Sequence, residues 1–239
     1  MRSPSDSVPL PVTPGATRRP IVDVVPGAQV RRRERRLAWT TIAIILALGT
    51  ATTILVLAGR LRVATGPAGA VRIALECAAW LAVVELYLYG LHRLMHGRWL
   101  FRSVHRFHHL SAATDAWTAL SLHPVEAIAA FGIFPALVAV HPVHVVTIAA
   151  VSAFMITALI ATHVNHEPVP RRWHESPATS WLTTPLVHVA HHADARVNFG
   201  AATTLPDRIF GTFRVDLSWY DRGRPSSWRE SGTGGSGRA

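Results

Sequence analysis

Lysine is absent from this 239-residue chain: all 24 basic side chains are arginine. Cysteine is nearly absent, with Cys77 alone. One thiol excludes an internal disulfide, a cysteine-only metal site and a cysteine-held iron–sulfur cluster. Acidic residues number 14, which leaves a formal net charge of +10. Only 16% of residues are charged while 49% are hydrophobic. That balance argues against a disordered chain and against an ordinary soluble domain. A basic surplus suits nucleic acid, anionic lipid or an acidic partner. What the chain has in excess is histidine, 14 in all.

Charge is also missing from long stretches, and this decides between lipid and nucleic acid. Residues 37–59 hold 23 residues without a charge. At 1.5 Å per residue such a helix crosses the roughly 30 Å hydrocarbon core. Arg31, Arg32, Arg33, Arg35 and Arg36 precede it, which predicts a cytoplasmic start. A cleaved signal peptide fits poorly, because the run is long and far from Met1. A second apolar stretch covers about 70–90, broken by Glu76 and Glu85. A third, 127–162, has no Asp, Glu or Arg. His141-Pro142-Val143-His144 offers a turn inside it, since proline disfavours helix in the residue before it. Two helices are expected there, 127–140 and 143–162, the first short enough for a shallow hairpin.

The expected class is therefore an all-α integral membrane protein with about four transmembrane or hairpin helices and a cytoplasmic helical cap. Four crossings leave only Arg60, Arg62 and Arg72 of the 24 arginines outside, as the orientation rule requires. No nucleic-acid partner is expected. The chain divides into a disordered basic tail over 1–36, a membrane domain over 37–220 and a flexible tail over 221–239.

The histidines cluster where the chain re-enters the cytoplasm. His92 and His96 form one cluster, His105, His108 and His109 a second, His163 and His166 a third, and His188, His191 and His192 a fourth. Residues three and four apart share a helix face, so each cluster is expected to present its rings together. His123, His141, His144 and His174 stand alone and read as ordinary packing residues. Imidazole suits iron, zinc, copper and nickel. Eight or more ligands exceed what one ion takes, so two metals are implied. A nearly all-histidine pair of sites favours a redox metal that activates dioxygen over magnesium or calcium.

These motifs resemble the fatty acid hydroxylase/sterol desaturase superfamily of membrane di-iron enzymes. Its members carry His-x3–4-His, His-x2-His-His and a second His-x2-His-His, matched here at His92/His96, His105/His108/His109 and His188/His191/His192. Glu85 through Tyr89, His92 and Arg93 looks like its acidic–Tyr–His-Arg lead-in, with Glu where Asp is usual. His123-Pro124-Val125-Glu126 looks like its His-Pro-x-Glu element, and His163-Val164-Asn165 like its His-x-Asn segment. Thr184–His188, Asn198–Gly200 and Asp207–Thr212 resemble its closing block. The resemblance covers about residues 80–215.

The resemblance implies O2-dependent oxidation of an unactivated C–H bond, by hydroxylation or desaturation, in a lipid-like substrate such as a fatty acyl chain, sterol or isoprenoid. It implies two iron ions held by the ten histidines of the four clusters. Glu85, His123, Asn165, Asp194, Asn198 and Asp207 are expected to steady the ligand imidazoles from behind. For Glu85, a bond to an imidazole and an ion pair with Arg93 or Arg106 both stay open. Electrons must come from an external ferredoxin-type carrier, because no dinucleotide fingerprint or haem domain is recognisable. A bacterial inner membrane is the expected location. A carotenoid-type hydroxylase or ketolase, and a histidine-rich membrane metalloprotein that is not an oxygenase, remain alternatives.

Overall fold

A computed structural model of the chain describes residues 8–9 and 20–221. The expected tails over 1–7, 10–19 and 222–239 lie outside the described residues. Among the described residues, nine helices carry the fold: α1 (Ala28–Leu57), α2 (Ala70–Met95), α3 (Arg98–Ser103), α4 (Ala116–Ala119), α5 (Pro124–Val140), α6 (Val145–Thr162), α7 (Arg171–Glu175), α8 (Pro185–Ala193) and α9 (Leu205–Ile209). Two 3-10 segments, His105–Leu110 and Leu217–Asp221, join them. A two-residue antiparallel ladder pairs β1 (Val8–Pro9) with β2 (Val24–Val25). The protein is thus mostly helical. By length and hydropathy, α1 and α6 are each able to cross a membrane.

The first helix starts at Ala28, nine residues before its charge-free run. Residues 28–36 are therefore helix and not tail. The reason is packing: Arg33 lies over the Phe107 ring at 3.9 Å, and Glu34 is buried with its Oε1 accepting from Thr118 Oγ1 at 3.3 Å. The helix ends where Gly59 takes a left-handed φ of +68°. Gly59 N–H donates to Val56 O and Arg60 N–H to Leu55 O, closing the last turn.

Histidine starts the α5/α6 hairpin twice. His123 Nδ1 accepts from Val125 N–H and His144 Nδ1 from Val146 N–H, so each caps the helix that follows it. The turn between the two helices is anchored to the α1–α2 loop. Ala64 N–H donates to Val143 O, and Val145 N–H to Ala64 O. His144 Nε2 bonds Gly66 O at 2.8 Å. Glu76 adds three partners, Arg72, His144 N–H and Thr147 Oγ1, all near 3 Å. Both interhelix turns therefore meet at one end of the bundle. Among the described residues, the α5/α6 turn thus sits beside the α1–α2 turn.

Within the bundle, α1 packs along α5, and α2 along α5 and α6. Trp80, Val84, Val138, Val143, Val151, Met155 and Ala202 form the main buried core. The end opposite those turns is closed by α8, α9 and the loops around them, with a smaller cluster of Ile21, Leu186, Val189 and Trp219.

Candidate metal centre

Nine histidines converge at that closed end in two groups. The first holds His92 from α2 and His96 at its C-cap, His105 and His109 from the 3-10 segment, and His191 from α8. The second holds His108, His163 at the end of α6, and His188 and His192 from α8. In each group the ring nitrogens lie within 4.8 Å of one another, so each could hold a metal ion.

On α8 and at the end of α2 the pairing follows α-helix geometry; in the 3-10 segment it does not, since residues three apart eclipse there yet His105 and His108 separate. Residues four apart stay together: His92 with His96, His105 with His109, and His188 with His192. Adjacent residues diverge by about 100° around a helix. Each His-His pair therefore sends one ring to each group, at interplanar angles of 86° for His108/His109 and 87° for His191/His192. The expectation that each triplet presents one common face is corrected: His105/His108/His109 and His188/His191/His192 are split between the groups, and so bridge them.

Orientation of the rings favours a cation at each point of convergence. His92 Nδ1–H donates to Phe199 O, His163 Nδ1–H to Leu159 O and His191 Nδ1–H to Val197 O, at 2.6–2.9 Å. A carbonyl only accepts, so the proton is on Nδ1 and Nε2 carries a lone pair. His105 Nδ1–H donates likewise to Glu126 Oε1 at 2.6 Å. Yet the Nε2 atoms of His92 and His105 are 3.2 Å apart. His188 and His163 Nε2 are 2.9 Å apart, and His191 Nε2 is 3.1 Å from His96 and 3.2 Å from His109. The facing lone pairs of His92 and His105 repel unless a cation sits between them. Nitrogens at ~2.1 Å from one metal and at right angles would be about 3 Å apart.

Burial supplies the protonation state that ligation needs. Desolvation holds His96 down to about 3, His109 to about 2 and His163 to about 4. It pushes His108, His188, His191 and His192 well below the usual imidazole value. All stay neutral at pH 7.

His166 is not in either group. After His163 the chain is pulled toward residues 20–22. Ile21 N–H donates to Asn165 O, Val22 N–H to Asn165 Oδ1, and Asn165 Nδ2 donates to Val22 O. His166 pairs there with Pro20 as an isolated bridge. Asn165 thus holds backbone and no imidazole.

The other residues expected behind the ligands are displaced by one step as well. Glu85 accepts from Ala202 N–H, Thr203 N–H and Thr203 Oγ1 at 2.8–2.9 Å, and among the described residues it bonds neither an imidazole nor an arginine. Asp207 accepts from Phe199 N–H, Gly200 N–H and Thr212 Oγ1. Asn198, at φ 57°, bonds Val187 O and both backbone groups of Arg214. These three fix the 197–204 loop, whose Val197 and Phe199 carbonyls hold His191 and His92. Gly200 is required there: a Cβ would collide with Thr203 O and lie 2.7 Å from Asp207 Oδ2. Asp194 instead forms a surface pair with Arg196, whose guanidinium keeps the carboxyl below its usual range. His123 stacks on Phe107 and caps α5.

The lead-in motif gains a physical reading from this. Glu85, Tyr89 and His92 fall on one face of α2, and all three grip the closing block. Tyr89 OH lies 3.0 Å from Thr212 Oγ1 and receives a bond from Arg93. The residue that sequence reasoning did not place behind a ligand is Glu126, buried in the first turn of α5. Its signal was present: it is the only acidic residue between Asp115 and Glu167.

A cavity of about 540 Å³ meets the histidines. Its walls are apolar faces of α1, α2, α5 and α6, and His92, His105, His108, His163 and His188 form its polar end.

Fold and site together define a helical protein with two buried all-histidine groups, each suited to a metal ion. The fatty acid hydroxylase family model matches residues 77–212, more than half of the chain. The chain belongs to that family. Over 136 residues, 54% of this chain and 21% of the relative, it is 32% identical to the very-long-chain aldehyde decarbonylase GL1-6 of Oryza sativa subsp. indica. It is 25% identical to the Delta(7)-sterol 5(6)-desaturase of Eremothecium gossypii over 61% of this chain and 39% of the relative. It is 24% identical to lathosterol oxidase of Rattus norvegicus over 66% and 51%. The chain thus spans between a fifth and a half of the length of these relatives. No solved structure matches it.

Proposed function

We propose that the protein is a membrane-bound, O2-dependent di-iron oxidoreductase that hydroxylates or desaturates an unactivated C–H position of a lipid-like substrate. The observation that carries this is the two groups of neutral imidazoles aimed inward at the polar end of an apolar cavity. His92, His96, His105, His109 and His191 would hold one iron, and His108, His163, His188 and His192 the other. Bound there, the pair would supply the reduction of O2 and the oxidising power for C–H cleavage. The chain's own task is to fix the imidazoles, place one carbon beside them and keep water out. Val197, Phe199 and Leu159 carbonyls with Glu126 fix ring orientation. The apolar walls exclude water and receive the hydrocarbon. Relatives named as sterol desaturases and a lathosterol oxidase support oxidation of a lipid.

In this reading α1, α2, α5 and α6 are four crossings, with the metal centre and both termini on the cytoplasmic side of a bacterial inner membrane. Arg60, Arg62 and Arg72 lie at the turn end, and the arginine-rich remainder suits the cytoplasm. That basic face also suits an acidic electron carrier of ferredoxin type. Metal analysis of protein purified without oxygen tests the reading. About two irons per chain are expected, and protein that holds no iron from any growth medium would remove it.

A further inference from the structure

Oxidation of a C–H bond by O2 consumes protons as well as electrons. O2, the saturated substrate, two electrons and two protons give an alcohol and one water, or an alkene and two waters. Either way two protons enter from solution for the two electrons that the carrier supplies. The cavity walls are apolar and most of the converging histidines are buried, so those protons need a route of their own.

A set of buried polar groups beside α4 provides the elements of one. Glu34, Ala38 and Thr41 are the buried residues of α1, and α1 packs on α4. Thr118, in the first turn of α4, is fully buried. Its Oγ1 lies 3.3 Å from Glu34 Oε1 and 3.3 Å from Asp115 Oδ1, and it accepts from Asp115 N–H at 3.1 Å. A hydroxyl has one proton and two lone pairs. The N–H takes one lone pair, so Thr118 can donate to one carboxyl and accept from the other. Both contacts are hydrogen bonds when the two carboxyls share one proton. With that proton on Asp115, Thr118 donates to Glu34; with it on Glu34, Thr118 donates to Asp115. Passage between the two states breaks the Asp115 O–H bond, forms one on Thr118 Oγ1 and moves the Thr118 proton to Glu34. Asp115 is half-buried and meets solvent, whereas Glu34 is 2% exposed and pairs with no arginine among the described residues. An unpaired buried charge is costly, so the proton rests on Glu34.

The inner end adjoins the second histidine group. Helix α4 also packs on α6, α6 ends at His163, and Asp115 is near enough for its charge to act on that ring. Ser111, three residues after His108, lies beside Glu34. In the first group, carbonyls and Glu126 back His92, His105 and His191. In the second, the Nδ1 atoms of His108, His188 and His192 are buried without a partner among the described residues, as are the hydroxyls of Thr41, Thr114 and Ser121. A ligand imidazole gives its other N–H to a carboxylate, a carbonyl or water. Water therefore backs the second group, and buried hydroxyls are the kind of partner that holds it.

We propose that Asp115, Thr118 and Glu34 form a proton relay to the second histidine group, completed by water on the neighbouring hydroxyls. This rests on the reading of O2 reduction and adds how its protons arrive. Infrared spectroscopy of metal-loaded protein in nanodiscs, without O2 or substrate, tests the relay itself. A carboxylic-acid C=O band is expected that Glu34→Gln removes. Its shift in D2O reports exchange of the proton, and Thr118→Val and Asp115→Asn are each expected to slow that exchange at least about tenfold. Thr118→Ser keeps the hydroxyl and is expected to exchange as the parent does. Asparagine caps a helix as readily as aspartate, so Asp115→Asn carries the test if Thr118→Val does not fold. Metal content and melting temperature establish folding. Proton uptake, read with a pH-indicator dye when reduced protein meets O2, is expected to slow at least about tenfold in Glu34→Gln. An acid band that survives Glu34→Gln unchanged, parental exchange in folded Thr118→Val and Asp115→Asn, or parental proton uptake in folded Glu34→Gln would overturn the proposal. Protein that shows the band and its fast exchange but holds no iron would remove the oxidation reading alone.

Discussion

Glu126 is the sharpest test of how the first histidine group is held. Its Oε1 takes the Nδ1 proton of His105 at 2.6 Å, and both side chains are buried, with 8% and 2% of their surface exposed. Removing one partner so that a buried donor is left unsatisfied costs about 1–3 kcal/mol. At about 1.4 kcal/mol per decade, Glu126→Ala is expected to weaken metal binding at the first group about 10–100-fold, the range seen when a partner behind a ligand is lost. Glu126→Gln keeps an acceptor oxygen for the His105 Nδ1–H, so its defect is expected to be smaller. The second group makes no hydrogen bond to Glu126 and is expected to keep parental affinity. Cobalt(II) titration of metal-free protein, followed by visible absorption, separates the two classes of site. Parental affinity at both sites in Glu126→Ala, or equal loss at both, would refute the reasoning.

Four further outcomes are expected. His191→Ala is expected to cost metal at the first group and His192→Ala at the second, while His141→Ala and His174→Ala keep two metals per chain. Metal stoichiometry after dialysis reads this, and full stoichiometry in His191→Ala would contradict it. Glu85→Gln replaces a carboxylate that takes three bonds from Ala202 and Thr203, so it is expected to cost about 2 kcal/mol or more of stability. Thermal melts check this; an unchanged melting temperature would count against the loop-holding role. In the unfolded chain histidine titrates near 6.5, while burial depresses the folded values of His96, His109 and His163 to about 3, 2 and 4. The unfolded state therefore takes up more protons below about pH 6.5, and metal-free protein is expected to lose stability progressively as pH falls from there, with little change above it. A melting temperature that holds or rises on acidification would contradict the sign. Finally, reporters after Ala239 and in place of residues 1–20 are expected to read cytoplasm, and one near Thr65-Gly66 the outside. An external C-terminal reporter would sink the proposed orientation.

Sequence by itself determined the helices and the ligand inventory. Apolar length marked α1, α5 and α6, and α2 despite Glu76 and Glu85, because an apolar run in lipid has few other ways to satisfy its backbone. Helical spacing picked out ten histidines, nine of which converge, and residues four apart (His92/His96, His105/His109 and His188/His192) stay in one group. Only the tertiary structure decided the division of those histidines. Which of two adjacent rings joins which group depends on how α2, α6, α8 and the 105–110 segment meet. The same holds for the supports. Glu85 and Asp207 were legible as constrained acids, but their partners are backbone N–H groups of a loop more than 100 residues from Glu85, and no local pattern encodes that. His166 shows the converse. Its spacing from His163 fits a helix, but α6 ends at Thr162 and Asn165 ties the chain to Val22. Local spacing proposes a shared face; the long-range backbone bonds decide whether the helix continues far enough to provide it.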